Sequence, residues 1–112
     1  MNKFGAKKTW VNGERFDSKK EAERYNQLCL MERAGLITGL RRQVRYILFP
    51  TRYDITGKLH RKRVYIADFV YYRNGDLVVE DVKGYRKGPA YNLFTLKKEI
   101  MYDKYGILVN EV

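Results

Sequence analysis

Two hydrophobic periods alternate along this chain, and the points where one gives way to the other predict most of its elements. Asn12-Gly13 separates Trp10-Val11 from Arg15-Phe16, so Thr9–Phe16 reads as a short hairpin with a type I′ turn. Asp17-Ser18 then opens a helix. Ser18 and Glu21 have capping-box spacing, apolar residues continue through Ala22, Tyr25, Leu28, Cys29 and Met31, and Gly35 supplies the stop. Arg42–Phe49 alternates as a strand, with Val44, Tyr46 and Leu48 on one face, and Pro50 ends it. Thr51–Lys58 reads as a loop or a distorted edge. Arg61–Tyr72 and Asp76–Lys83 are two β-rich runs joined by Arg73-Asn74-Gly75-Asp76, the plainest hairpin signal in the chain. After a Gly84–Pro89 loop, Ala90–Tyr105 returns to helical spacing through Leu93, Leu96 and Ile100, widened by Phe94 and Met101. Gly106 breaks that helix and Ile107–Val112 forms a last short strand. The order predicts one α/β domain over residues 1–112: an N-terminal hairpin, then helix, three strands, helix and strand, with a mixed sheet between two helices.

The Asn74-Gly75 turn also predicts a register. If Arg73 faces Asp76, counting back pairs Tyr72 with Leu77, Val70 with Val79, Phe69 with Glu80 and Asp68 with Asp81. The two aspartates would form a non-hydrogen-bonded pair, with Cα atoms ~4.5 Å apart. Like charges placed opposite one another destabilise a sheet. Apolar neighbours such as Ile66, Phe69, Val79 and Val82 give folding no reason to place them there. A bound cation supplies a reason, since Mg²⁺ takes one or two carboxylates and leaves its other positions to water and phosphate oxygens. Lys83, two residues past Asp81, falls on the same face. Two acids, a cation and an ammonium on one sheet face suit phosphodiester hydrolysis. The plainer alternative is that Lys83 or nearby arginines merely neutralise the aspartates. Glu80 points to the opposite face as a structural or surface carboxylate.

Composition sharpens this picture. The chain has 23 Lys+Arg against 13 Asp+Glu, a formal net charge of +10, and 16 aromatic residues of which ten are Tyr. A sequence pI near 9.8 makes nucleic acid the expected partner. Cys29 is the only cysteine, which excludes an intrachain disulfide or a Cys-based zinc site and fits a reducing cytoplasm. No apolar run approaches the ~18 residues of a membrane span, and Met1–Trp10 lacks the apolar core of a signal peptide. A soluble protein with no membrane partner is expected.

Tyr65-Ile66-Ala67-Asp68-Phe69, followed by Val78-Val79-Glu80-Asp81-Val82-Lys83-Gly84, resembles the core motif of the PD-(D/E)XK nuclease superfamily. Ala67 stands where the motif has proline, a permissive position. Phe16–Glu23 (Phe-Asp-Ser-Lys-Lys-Glu-Ala-Glu) resembles the helix start of a small phage-encoded family within it, and the likeness runs from about Gly5 to Glu111. The resemblance implies a restriction-endonuclease-like αβββαβ core and an Mg²⁺-dependent deoxyribonuclease, with Mn²⁺ able to substitute. It implies a structure-selective endonuclease acting on branched or Holliday-junction DNA in phage-type recombination, repair or replication. Such an enzyme would work as a homodimer, in the bacterial host cytoplasm if phage-encoded. A flap- or end-processing nuclease, a nicking nuclease and a non-catalytic basic binding module are the alternatives.

In such a core Asp68, Asp81 and the Val82 carbonyl hold the metal, Lys83 assists the attacking water, and a helix-borne acid joins them. Glu21 shares its helix face with Tyr25 and Leu28, whereas Glu23 lies with Lys19 and Gln27, so Glu21 is the expected acid. Its competing role is the capping box with Ser18. Arg61-Lys62-Arg63, Arg86-Lys87 and Arg41-Arg42 are candidate phosphate clamps. Lys97 borders the apolar stripe and is a candidate phosphate contact. Lys98 reads as a solvated charge, Gln43 as a polar strand end, Cys29 as a buried helix residue, and His60 stands alone.

Overall fold

Helix α1 (Lys19–Arg33) begins where the capping residues predict: Ser18 is its N-cap and accepts from the Glu21 N–H at 3.1 Å. The computed structural model describes residues 9–11 and 13–112. Asn12 of the predicted Asn12-Gly13 turn, and most of Met1–Trp10, lie outside them. Strands β1 (Thr9–Val11) and β2 (Glu14–Phe16) pair antiparallel as the predicted hairpin, with Val11 opposite Glu14. Gly35, at φ 79°, follows the Ala34 cap of α1, and Gly106, at φ 68°, caps helix α2 (Pro89–Tyr105). Both are left-handed positions that glycine takes without a Cβ clash.

The main sheet is mixed, in the order β3-β6-β7-β8. Strand β3 (Thr38–Phe49) starts four residues before its predicted beginning. It pairs antiparallel with β6 (Arg63–Arg73), which pairs antiparallel with β7 (Asp76–Asp81). The β6–β7 turn has Asn74 at φ 53° and Gly75 at φ 83°, the left-handed pair that a type I′ turn needs. The predicted register follows, from Arg73–Asp76 to Phe69–Glu80. The last strand, β8, contains only Asn110–Glu111 and runs parallel to β7.

Thr51–Lys58 is not a plain loop. Arg52–Tyr53 (β4) pairs with Leu59–His60 (β5), making a two-stranded arm between β3 and β6. Five-residue turn closure depends on side chains as much as backbone here, which the alternation of a short Thr/Gly-containing run does not reveal.

The sheet separates two cores. Leu48, Tyr65, Ala67, Val70, Val79 and Val109 pack with Phe94 and Met101 of α2. Phe69 and Tyr71 pack with Phe16, Ile37 and the α1 residues Ala22 and Leu28. Consecutive residues Phe69 and Val70 thus face opposite helices. Ala67, however, shares the α2 side with Val70, so the alternation of β6 changes phase across Asp68. The neighbouring strand changes phase at the same level. Leu40 packs on the α1 core and Val44 on the α2 core, with Gln43 between them at φ 52°. For a non-glycine residue that conformation costs on the order of 1–2 kcal/mol.

Candidate active site

Asp68 lies one step beyond the last Phe69–Glu80 rung, where β6 and β7 part. Its Oδ2 accepts the Val82 N–H at 2.8 Å, so a side chain replaces the next main-chain bond. Val112 donates to the Asp81 carbonyl at 3.0 Å and accepts from Lys83 N at 2.9 Å, which ties the other edge of this segment to β8. The end of β7 is therefore held from both sides.

Asp81 is 6% exposed and points to the α2 side. Its Oδ2 accepts from the Tyr65 hydroxyl at 2.6 Å, and its Oδ1 lies 3.0 Å from the Lys83 ammonium, on the predicted shared face. Lys83 Nζ also sits 3.8 Å from the centroid of the Phe94 ring. An ion pair on one side and a ring face on the other fix the ammonium where the flexible lysine stem would otherwise wander. Asp81, Lys83, Tyr65, Phe94 and Lys97 line a cleft of about 320 Å³. Lys97 donates to the Val64 carbonyl at 3.1 Å, at the rim of that cleft.

Glu21 enters from α1 and is only 7% exposed, while Glu23 stays at the surface 4.0 Å from Lys19. The capping box is half made: Ser18 caps the Glu21 N–H, but the Glu21 carboxylate lies 3.6 Å from Arg42 and interacts with Asp68. Arg42 was a candidate phosphate clamp, and the fold corrects that reading. Its guanidinium stacks 3.8 Å from the Phe16 ring centroid and bridges Glu14, at 3.0 Å, to Glu21. The phase change at Gln43 moves Arg42 from the face of Val44 to the α1 core, while Arg41 is exposed. Gln43 lies within β3 rather than at its end, and its Nε2 donates to Asp68 Oδ1 at 3.3 Å.

The acids are uncomfortable together. Burial, then the charge of Glu21, pushes the Asp68 carboxyl up to about 7, against the opposing hydrogen bond from Val82. Burial and Asp68 push Asp81 up as well, opposed by Tyr65 and Lys83. Among the described residues, no three His, Cys, Asp or Glu side chains are gathered closely enough to hold a metal ion. The donors still suit Mg²⁺: hard carboxylate oxygens, two of them on one mutually repelling pair, which is as many as this ion commonly takes from protein.

A carboxyl raised in the folded state binds protons that the unfolded chain has lost, so its contribution to stability falls as pH rises from about 4 to 7. Without metal, the protein should be more stable at pH 5 than at pH 8, by up to a few kcal/mol from this group. Asp68→Asn keeps an acceptor for Val82 and should flatten that fall. Thermal melts of both proteins in EDTA test it, and parallel pH profiles would refute the raised acid.

Glu80 is buried, not a surface carboxylate. Arg24 contacts both its oxygens, at 2.9 and 2.6 Å, and the Tyr71 hydroxyl donates to one of them. Lys98 is not a solvated charge either: it pairs with Glu111 at 2.9 Å, which also holds Arg86 at 3.3 Å and the Tyr91 hydroxyl at 2.8 Å. Cys29 is half-buried, and His60 pairs with Asp54. Arg61, Lys62 and Arg63 are exposed at the base of the β4–β5 arm, and Lys87 is exposed beside Arg86. Tyr65 was not singled out from the sequence, because strict alternation places it away from Asp68. A cleft of about 920 Å³ between Phe49, Tyr102 and Leu108 contains none of the predicted site residues. Among the described residues, no helix is long and apolar enough to cross a membrane.

No curated protein and no solved structure matches this sequence. Residues 1–110, nearly the whole chain and with it Glu21, Asp68 and Asp81, match one family, and the chain belongs to it: the family described as "Protein of unknown function (DUF1064)".

Proposed function

We propose that this protein is a metal-dependent endonuclease with a restriction-endonuclease-like core, hydrolysing phosphodiester bonds in branched DNA. The observation that carries the reading is the repulsion between half-buried Asp68 and buried Asp81, with Lys83 fixed 3.0 Å from Asp81. Asp68, Asp81 and the Val82 carbonyl would hold Mg²⁺ or Mn²⁺, with Glu21 acting through its contact with Asp68. When bound, such an ion polarises a phosphate oxygen and lowers the pKa of its water.

The chain's own groups have separable tasks. Tyr65 and the Val82 N–H orient one oxygen of each aspartate. Lys83 presents its ammonium to the cleft, where it can orient an attacking water or meet charge developing on phosphate. Lys97 reaches the same cleft and can contact a neighbouring phosphate. Arg61, Lys62, Arg63, Arg86 and Lys87 lie farther out as backbone contacts, and the net charge of +10 supplies long-range attraction. Two cuts in a four-way junction require two such sites, hence a homodimer. The exposed apolar residues Phe49, Tyr102 and Leu108 offer a surface for one. A phage-type enzyme of this kind would act in the host cytoplasm.

A second reading has two observations in its favour. Lys83 already neutralises Asp81, and no three-acid cluster exists among the described residues, as in a basic binding module that does not cut. Purified protein on matched linear, flap and four-way DNAs, in Mg²⁺ and in EDTA, separates the readings. Metal-dependent cuts focused on the four-way junction are expected. Preference for flaps or ends would indicate the processing nuclease, and binding without cleavage in Mg²⁺ or Mn²⁺ would establish the module.

Glu21 and Glu23 provide an internal comparison. Glu21→Gln should lower cleavage at least tenfold, while Glu23→Gln leaves it unchanged, and both should stay within ~1 kcal/mol of wild-type stability because the Ser18 cap remains. Equal rates would remove Glu21 from the site.

A further inference from the structure

The arm between β3 and β6 has no explanation in the core or in the acidic site. From Pro50 to Arg63 every residue is exposed except His60, so the arm stands off the body of the domain. Two rungs, Arg52–His60 and Tyr53–Leu59, would not hold a hairpin in water by themselves. Asp54 supplies the lock. Its Oδ1 accepts from the N–H groups of Thr56 at 2.8 Å and Lys58 at 3.1 Å, and its Oδ2 lies 2.7 Å from His60 Nε2. Gly57, at φ 85°, completes the bend. At the base, Thr51 Oγ1 accepts from Lys62 N at 3.1 Å.

This lock presents a particular surface. Ile55 sits at the tip with its side chain wholly in solvent, and Tyr53 beside it is 72% exposed. Arg52, Lys58, Arg61, Lys62 and Arg63 flank them and, with His60, surround a cleft of about 490 Å³. The only acid of the arm, Asp54, is engaged in the turn. A β-branched apolar residue held out in water on a rigid basic stalk contributes nothing to folding. It matches the chemistry by which proteins enter nucleic acid: cations on phosphates and an apolar wedge between base steps.

We propose that the β4–β5 arm is a nucleic-acid wedge: its basic flanks grip the phosphates around a branch point and Ile55 enters the base step there, with Tyr53 as a stacking surface. The assignment deepens the nuclease reading and rests on it for the identity of the partner. Arg63 precedes Asp68 by five residues of β6, roughly 17 Å along an extended strand. A wedge rooted there would set the distance between the branch and the scissile phosphate.

Binding in EDTA tests the arm without cleavage. The probe is a four-way junction carrying 2-aminopurine beside the branch, titrated with the full chain. Wild type should raise the fluorescence as the base unstacks. Ile55→Ser, at a fully exposed position, should keep affinity within about threefold and lose the rise. Arg61→Gln/Lys62→Gln should weaken binding and lower the slope of log K against log[salt] by about two, one for each phosphate contact removed. An unchanged fluorescence rise in Ile55→Ser, or an unchanged salt slope in the double variant, overturns the wedge. Ile55-dependent binding to anionic phospholipid vesicles, with no fluorescence change on DNA, would overturn it in favour of a membrane surface. Asp81→Asn should unstack the base as wild type does. The arm therefore stands or falls independently of whether the acids cut.

Discussion

Replacing Asp81 by Asn should reduce metal-dependent cleavage roughly a hundredfold or more, the factor that several kcal/mol of lost charge stabilisation corresponds to. The fold should survive the change. Asn retains an acceptor for the Tyr65 hydroxyl, and Lys83 keeps its place over Phe94. Removing the Asp81 charge also relieves its repulsion by Asp68, which helps to raise the Asp81 carboxyl, so metal-free Asp81→Asn should be as stable as wild type or slightly more so. Mg²⁺ should separate the two proteins. At a hundredfold excess over Kd the wild type gains about 2.7 kcal/mol, which for a domain of this size is about 10 °C in Tm. The variant should gain far less. Melts with and without Mg²⁺ on both proteins measure this. Equal Mg²⁺ responses would remove the metal from this position, and a metal-free loss of several kcal/mol would make Asp81 part of a structural ion pair.

Arg24→Met should behave in the opposite way, destabilising the fold by about 3 kcal/mol without touching the cleft. Glu80 is 2% exposed and receives Arg24 through both oxygens and Tyr71 through one, on the α1 side of the sheet. Taking away the guanidinium leaves a carboxylate buried without its counter-charge. Arg24 is a quarter exposed, so water reaches part of the gap and holds the loss near the lower end of the range for buried pairs. The Arg24→Met/Glu80→Met double substitution removes both charges from the same apolar surroundings and should recover most of that stability. Denaturant unfolding of the three proteins tests the cycle. A single substitution costing under 1 kcal/mol would show that Glu80 is stable without Arg24. Together with Asp81→Asn, this contrasts neighbouring carboxylates on one strand: one held to stabilise the sheet, the other held against its own stability.

Most of this site was legible wherever the deciding force is local. Asn74-Gly75 takes left-handed backbone more readily than other pairs, so the turn determines the β6–β7 register as far as Phe69–Glu80; the predicted Asp68–Asp81 rung does not form, because the strands part there and Asp68 accepts from the Val82 N–H instead. The period of two puts Lys83 beside Asp81, and Ser18 and Gly106 mark helix ends by chemistry within one turn. Tertiary structure decided the rest. Alternation extrapolates through Asp68 and Gln43, but both strands change phase there, because two helices on opposite faces each require their own apolar set. That change brings Tyr65 to Asp81 and moves Arg42 from the face of Val44 onto Phe16. It also leaves Glu21 between a cap, an arginine and an aspartate, a choice that helix periodicity cannot make. The arm was hidden for a related reason: Asp54 closes it through side-chain hydrogen bonds, and such bonds leave no hydrophobic period to read. Local backbone preference acts over a few residues and is written in them. The face a residue takes at a kink depends on what packs above and below it, and those partners come from distant parts of the chain.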